Sequence, residues 1–161
     1  MAELSASRVP ISPFRRAGAS ALLLLALTSV HHAYGAYIYE TPWRLHIVQL
    51  SVPAAILITG ALAVGWSKAT TRLGRAASWL AAIVILAFPV AMIGVWEGGW
   101  NHVLKNILYF GFGEDTARAL FPAPIYRLPD DLTFELTGIA QLPLAVIAAL
   151  NTIPLLRGPV R

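Results

Sequence analysis

The 161-residue chain contains no cysteine. Disulfides, thiolate-held metals, cysteine-held iron–sulfur clusters and a cysteine nucleophile are therefore excluded. Methionine occurs only at Met1 and Met92, too sparsely for a thioether-lined copper(I) path. Charge is scarce as well: Asp, Glu, Lys and Arg make up 12% of the residues, about half the share usual in a soluble domain. The apolar residues show no two-residue alternation, which argues against a membrane β-barrel. There is no glycine-rich phosphate loop, nucleophile elbow, catalytic triad, HExxH or ExxH.

What is present is apolar surface, with 57% hydrophobic residues. A soluble chain of this size has too little interior to hide it, and a bilayer resolves the conflict. Four stretches free of Asp, Glu, Lys and Arg, residues 17–39, 45–67, 76–96 and 136–156, each reach the ~20 residues of a spanning helix. The expected fold is an all-α integral membrane protein, a single domain over residues 1–161. Its short connections make an up-down-up-down bundle of four transmembrane helices the default.

Lys and Arg set the orientation. Arg8, Arg15, Arg16, Lys68, Arg72, Arg75, Arg157 and Arg161 share one side if both termini are cytoplasmic; only Arg44, Lys105, Arg118 and Arg127 fall outside. Trp66 and Trp79 then mark the inner interface, and Trp43, Trp96 and Trp100 the outer one, the depth that indoles prefer. The expected location is a bacterial inner membrane. The formal charge of +4 follows from this asymmetry, so the bilayer, not nucleic acid, is the expected partner. A second reading of the first span is a cleaved signal, with Arg15-Arg16, the Leu22–Leu25 run and Ala33-Tyr34-Gly35 as its parts. The apolar run is long for that role.

The outer segment 97–135 is too long to be a simple turn. Trp100, Val103, Leu104, Ile107, Leu108 and Phe110 fall near helical spacing, with His102, Lys105, Asn106 and Tyr109 between them. This predicts a short amphipathic helix lying on the outer surface, entered by a turn at Gly98-Gly99 and ended by Gly111 or Gly113. Pro122, Pro124 and Pro129 predict an extended stretch, and Asp130 or Asp131 an N-cap for the last span.

All four histidines fall in the outer half. His31 and His32 lie about two turns, roughly 10 Å, below the outer end of the first span. His46 opens the second span, and His102 belongs to the predicted surface helix. Glu97 closes the third span and Glu135 opens the fourth, while Gln49 and Gln141 lie at comparable depth. Imidazole and carboxylate together suit zinc, iron or copper(II), and helical bundles build such sites from inward side chains of different helices. Ionisable groups at membrane depth are costly enough to imply a partner. His31, His32, His46, Glu97, His102 and Glu135 are therefore the candidate ligands of a metal site near the outer, periplasmic face, serving metal handling or redox chemistry. As neighbours on a helix, His31 and His32 point about 100° apart, so they are not a two-ligand motif by themselves. The alternative is a non-catalytic accessory subunit of a larger membrane complex, its histidines contacting other membrane subunits.

Overall fold

The computed structural model describes residues 10–157, all helices and connections with no strand among them. Arg8 and Arg161, among the basic residues that set the orientation, lie outside the described residues. Four helices are long and apolar enough to cross a bilayer: α1 (Ser12–Ile38), α2 (Pro42–Ser67), α3 (Arg72–Phe112) and α5 (Leu132–Arg157). A short helix, α4 (Glu114–Leu120), follows α3. Helix α1 packs on α2 and α5, and α3 packs on α2 and α5.

The ends of the helices follow local rules. The Thr71 hydroxyl accepts from the Gly74 amide at 3.1 Å and caps α3. Of the two aspartates before the last span, Asp131 is the cap, accepting from the Phe134 amide at 2.7 Å. Gly113, at φ 93°, ends α3 in a conformation that a side chain would resist.

One expectation is corrected. No turn interrupts Gly98-Gly99; α3 runs unbroken from Arg72 to Phe112. The residues assigned to a separate surface helix are its final turns. The glycines serve approach instead of reversal. A Cβ on Gly98 would press on the Leu142 amide nitrogen of α5, and one on Gly94 would collide with Ala145. Two backbones meet there because neither position carries a side chain.

The same helix changes its winding. Residues Leu86–Leu104 are π-helical, flanked by α-helix on both sides. The widening begins beside Pro89, which has no amide hydrogen to return to Ile85. Pro143 interrupts α5 similarly at Ala140.

The interior has two parts. One is apolar and small-residue-rich, with Ala17, Ala21, Leu25, Ile58, Ala61, Ala81, Ala82 and Ile85, joined to Leu24, Ile93 and Ala145. Along α1 the buried positions then turn polar: Thr28, His31 and His32. Gln141 is wholly buried on α5, whereas Gln49 is exposed on α2. Large apolar side chains such as Val30, Ile56, Ile83 and Val95 cover the outside of the bundle, the arrangement a lipid solvent requires.

Gly98→Val is expected to cost about 2 kcal/mol by forcing α3 and α5 apart. Gly60→Val, where open space surrounds the glycine, is the control. Thermal unfolding in detergent that left Gly98→Val no less stable than the control would show that the close approach is not needed.

Candidate metal centre

Three helices contribute to one polar cluster: α1 brings His31 and His32, α3 brings Glu97 and His102, and α5 brings Glu135 and Thr137. Glu97 and His102 are five residues apart. On an α-helix they would diverge by about 140°. In π-helical geometry the hydrogen bonds span five residues, so positions five apart return toward one face. The buried positions of the stretch, Pro89, Ile93, Gly94, Gly98 and His102, recur every four to five residues. Glu97 and His102 are thereby both turned into the bundle.

Glycines on the neighbouring helices make the room. A Cβ on Gly138 would enter the His102 ring, and one on Gly35 would press on the Phe134 ring. Phe134 stacks on His31, with centroids 4.2 Å apart, and meets His102 edgewise at 5.1 Å. These aromatic contacts hold the imidazoles in place.

At the centre is Glu97 Oε1. His102 Nε2 stands 3.4 Å from it, His31 Nε2 3.5 Å and His32 Nε2 3.8 Å. Charge-assisted hydrogen bonds between nitrogen and carboxylate run about 2.7–2.9 Å, so these are convergent but unbonded atoms. The other Glu97 oxygen accepts from Asn101 Nδ2 at 2.6 Å, which fixes the direction of the carboxylate. His31, Glu97 and His102 each offer one donor atom, all within 4.8 Å of one another. His31 and His102 are buried, and the Glu97 side chain is 14% exposed.

The remaining ring nitrogens decide the tautomers. Thr137 donates its hydroxyl to the Thr133 carbonyl at 2.7 Å. Its oxygen therefore accepts from His31 Nδ1–H at 3.0 Å, leaving a lone pair on His31 Nε2. Carboxylates only accept, so His102 Nδ1 donates to Glu135 Oε2, 2.9 Å away. His102 Nε2 is left to face Glu97 Oε1. Three imidazole nitrogens thus converge on one carboxylate oxygen, and neither His31 Nε2 nor either nitrogen of His32 has a hydrogen-bond partner.

Of the six residues singled out in the sequence, five gather here and one stands apart. Glu135 lies behind His102, its oxygens held by His102, by Lys105 Nζ at 2.9 Å and by Asn106 Nδ2. Lys105, itself buried, also donates to the Arg127 carbonyl at 2.9 Å. His46 is exposed, with Nδ1 at 2.6 Å from the Trp43 carbonyl and its ring 6.4 Å from that of His32. Thr137, Asn101, Lys105 and Asn106 were not among the candidates. For the three on α3 a signal existed, since Asn101, Lys105 and Asn106 lie one, three and four residues from His102. Thr137 is legible only once α5 is set against α1.

A latch closes this end of the bundle. The Tyr39 hydroxyl donates to Asp130 at 2.5 Å and the Tyr34 hydroxyl to Asp131 at 3.1 Å. Burial, reinforced by the Asp130 carboxylate, pushes the Tyr39 phenol above its ordinary range, so the hydroxyl keeps its proton.

Lys105→Met is expected to cost about 3 kcal/mol, because it strips the countercharge from a buried carboxylate. Lys105→Met combined with Glu135→Gln should recover part of that loss. Equal stabilities for Lys105→Met and the parent protein in detergent would refute a buried pair.

No known protein family, curated protein or solved structure matches this chain.

Proposed function

We propose that this chain is a membrane metalloprotein whose centre is one divalent ion held by His31 Nε2, His102 Nε2 and Glu97 Oε1. The observation that carries the reading is the convergence of two buried imidazole nitrogens on one Glu97 oxygen, at 3.4 and 3.5 Å. Tetrahedral zinc with bonds of about 2.0–2.1 Å puts its ligand atoms about 3.4 Å apart. The Glu97 oxygen stands 3.4 and 3.5 Å from the two imidazole nitrogens. An octahedral ion at the same bond length would need edges nearer about 3.0 Å. The donor set also suits iron(II) and copper(II), and the spacing favours zinc among the three.

The surroundings agree. Metal-bound imidazoles pass their other N–H to a carboxylate or hydroxyl that fixes the tautomer and raises basicity. Glu135 does this for His102 and Thr137 for His31. Asn101 aims Glu97. Three protein ligands leave a fourth position open, the arrangement of zinc sites that bind water or substrate rather than structural ones, which are closed by four. His32, whose ring nitrogens have no hydrogen-bond partner, has Nε2 3.8 Å from the same Glu97 oxygen and would supply a proton acceptor to a bound water. In the bilayer, the four long helices cross up-down-up-down with both termini cytoplasmic, so the centre opens near the outer, periplasmic face.

Elemental analysis of the full-length protein, purified in detergent without chelator and incubated with zinc, tests this. One equivalent of zinc is expected in the parent and in His46→Ala and His32→Ala. His31→Ala, His102→Ala and Glu97→Gln should each lose it. A parent protein that holds no zinc, iron or copper ends the proposal. Glu135→Gln and Thr137→Val should retain the ion but bind it about 10–100-fold more weakly, read by competition with a chromophoric chelator. Unchanged affinity in both would remove the supporting role of these residues.

A further inference from the structure

The centre borders a cavity of about 380 Å3, within the range of about 300–1,000 Å3 typical of small-molecule sites. Its position follows from the packing. Helix α2 lies along α1 and along the Arg72–Ile85 part of α3, whereas Leu86–Leu104 packs on α5. Beyond Ile85, α2 and α3 part, and the cavity fills the cleft. Ile47 and Leu50 of α2 face Phe88, Met92 and Trp96 of α3 across it. Leu50, Met92 and Trp96 are each half exposed. In a bilayer the mouth of this cleft meets acyl chains, not water.

The other end of the cavity is cationic. Arg44 and Arg127 line it together with Lys105, Glu97 and His102. Lys105 is committed to Glu135. Arg44 is not committed to any acid: among the described residues no carboxylate lies within ion-pair distance of it, although it is only 7% exposed. Its Nε donates to the Thr41 hydroxyl at 2.9 Å, and its guanidinium lies against the faces of Trp43, Phe134 and Tyr39, 4.9, 5.3 and 5.7 Å from their centroids. Three aromatic faces orient the fork without neutralising it. Arg127 lies over the opposite approach, 5.1 Å from the Tyr39 ring, and likewise makes no ion pair among the described residues. A buried guanidinium without a counter-anion is costly, and its planar fork matches carboxylate or phosphate oxygens.

We propose that this cavity binds an anionic amphiphile, with a phosphate or carboxylate head on Arg44 and Arg127 and an apolar tail in the α2–α3 cleft. The head then lies beside the open side of Glu97 and His102. That last point rests on the metal-centre reading; the binding itself does not. The shared chemistry is an anionic head joined to an acyl tail. A bilayer phospholipid and a free fatty acid both supply it, and the lateral mouth of the cleft admits either from the membrane.

Native mass spectrometry of the full-length, delipidated, zinc-loaded protein tests the proposal, with four probes: phosphatidylglycerol, phosphatidylcholine of the same chains, palmitate and inorganic phosphate. One saturable adduct is expected with phosphatidylglycerol or palmitate, the former identifying a bilayer lipid and the latter a fatty acid. Arg44→Gln should weaken it at least tenfold while the zinc mass remains, since Arg44 is not a ligand. Ile47→Trp, which fills the cleft and keeps the arginine, should weaken it similarly and carries the test if Arg44→Gln does not fold. Phosphatidylcholine binding as well as phosphatidylglycerol, phosphate binding as well as either amphiphile, or adducts indifferent to both substitutions would overturn the proposal. Zinc retained with no adduct rejects this inference alone. An Arg44-dependent adduct on a protein that never holds metal rejects the metal centre alone.

Discussion

The arrangement of this bundle end depends on polar crowding. Three imidazoles are held at one carboxylate oxygen in a largely buried interior, where unpaired polar groups are most costly. A fold can keep donors in that relation only if something cationic compensates them, a proton or a metal. The spacing of 3.4 and 3.5 Å around Glu97 Oε1 is too long for proton sharing and suits an ion between the atoms. Thr137 and Glu135 engage Nδ1 on the far side of each ring, which leaves Nε2 of both His31 and His102 facing Glu97.

Much of the rest can be read as support for that cluster. The π-helical stretch of α3 turns Glu97 and His102 to one face. Gly94 and Gly98 let α3 approach α5 closely, and Gly138 leaves space for the His102 ring. Glu135 is neutralised by Lys105 and accepts a hydrogen bond from Asn106, so it can orient His102 without competing as a free charge. Each element has a cost in isolation: a rare winding, glycines in helix interiors, a buried ion pair. Together they concentrate those costs at one end of a bundle whose other half is small and apolar. Strain and polarity concentrated in this way are usual at functional sites and unusual in structural cores.

The divergence of α2 from the second half of α3 belongs to the same design. A bundle closed along its whole length would bury the centre with no access. Glu97 and His102 line the cleft together with apolar residues of α2 and α3 and with Arg44 and Arg127. Arg44 is buried among aromatic faces and has no acid within ion-pair distance among the described residues.

Sequence alone determined the class and the end of the molecule that matters. Runs of uncharged residues, their length and the distribution of histidines are properties of the chain itself, because the demand that a membrane helix shed its charges acts on each segment separately. A terminator at Gly111 or Gly113 and a cap at Asp130 or Asp131 were legible for the same reason, being local backbone chemistry; the structure selects Gly113 and Asp131. Tertiary structure alone decided that α3 runs through Gly98-Gly99, that Glu97 lies at the centre while Glu135 stands behind it, and that His46 remains outside. It also decided that Arg44 is buried. These depend on how far each helix is rotated and how closely two backbones approach. That rotation and approach are set by glycines, a proline and a change of winding acting between segments far apart in the chain, where no periodicity within one segment can report them.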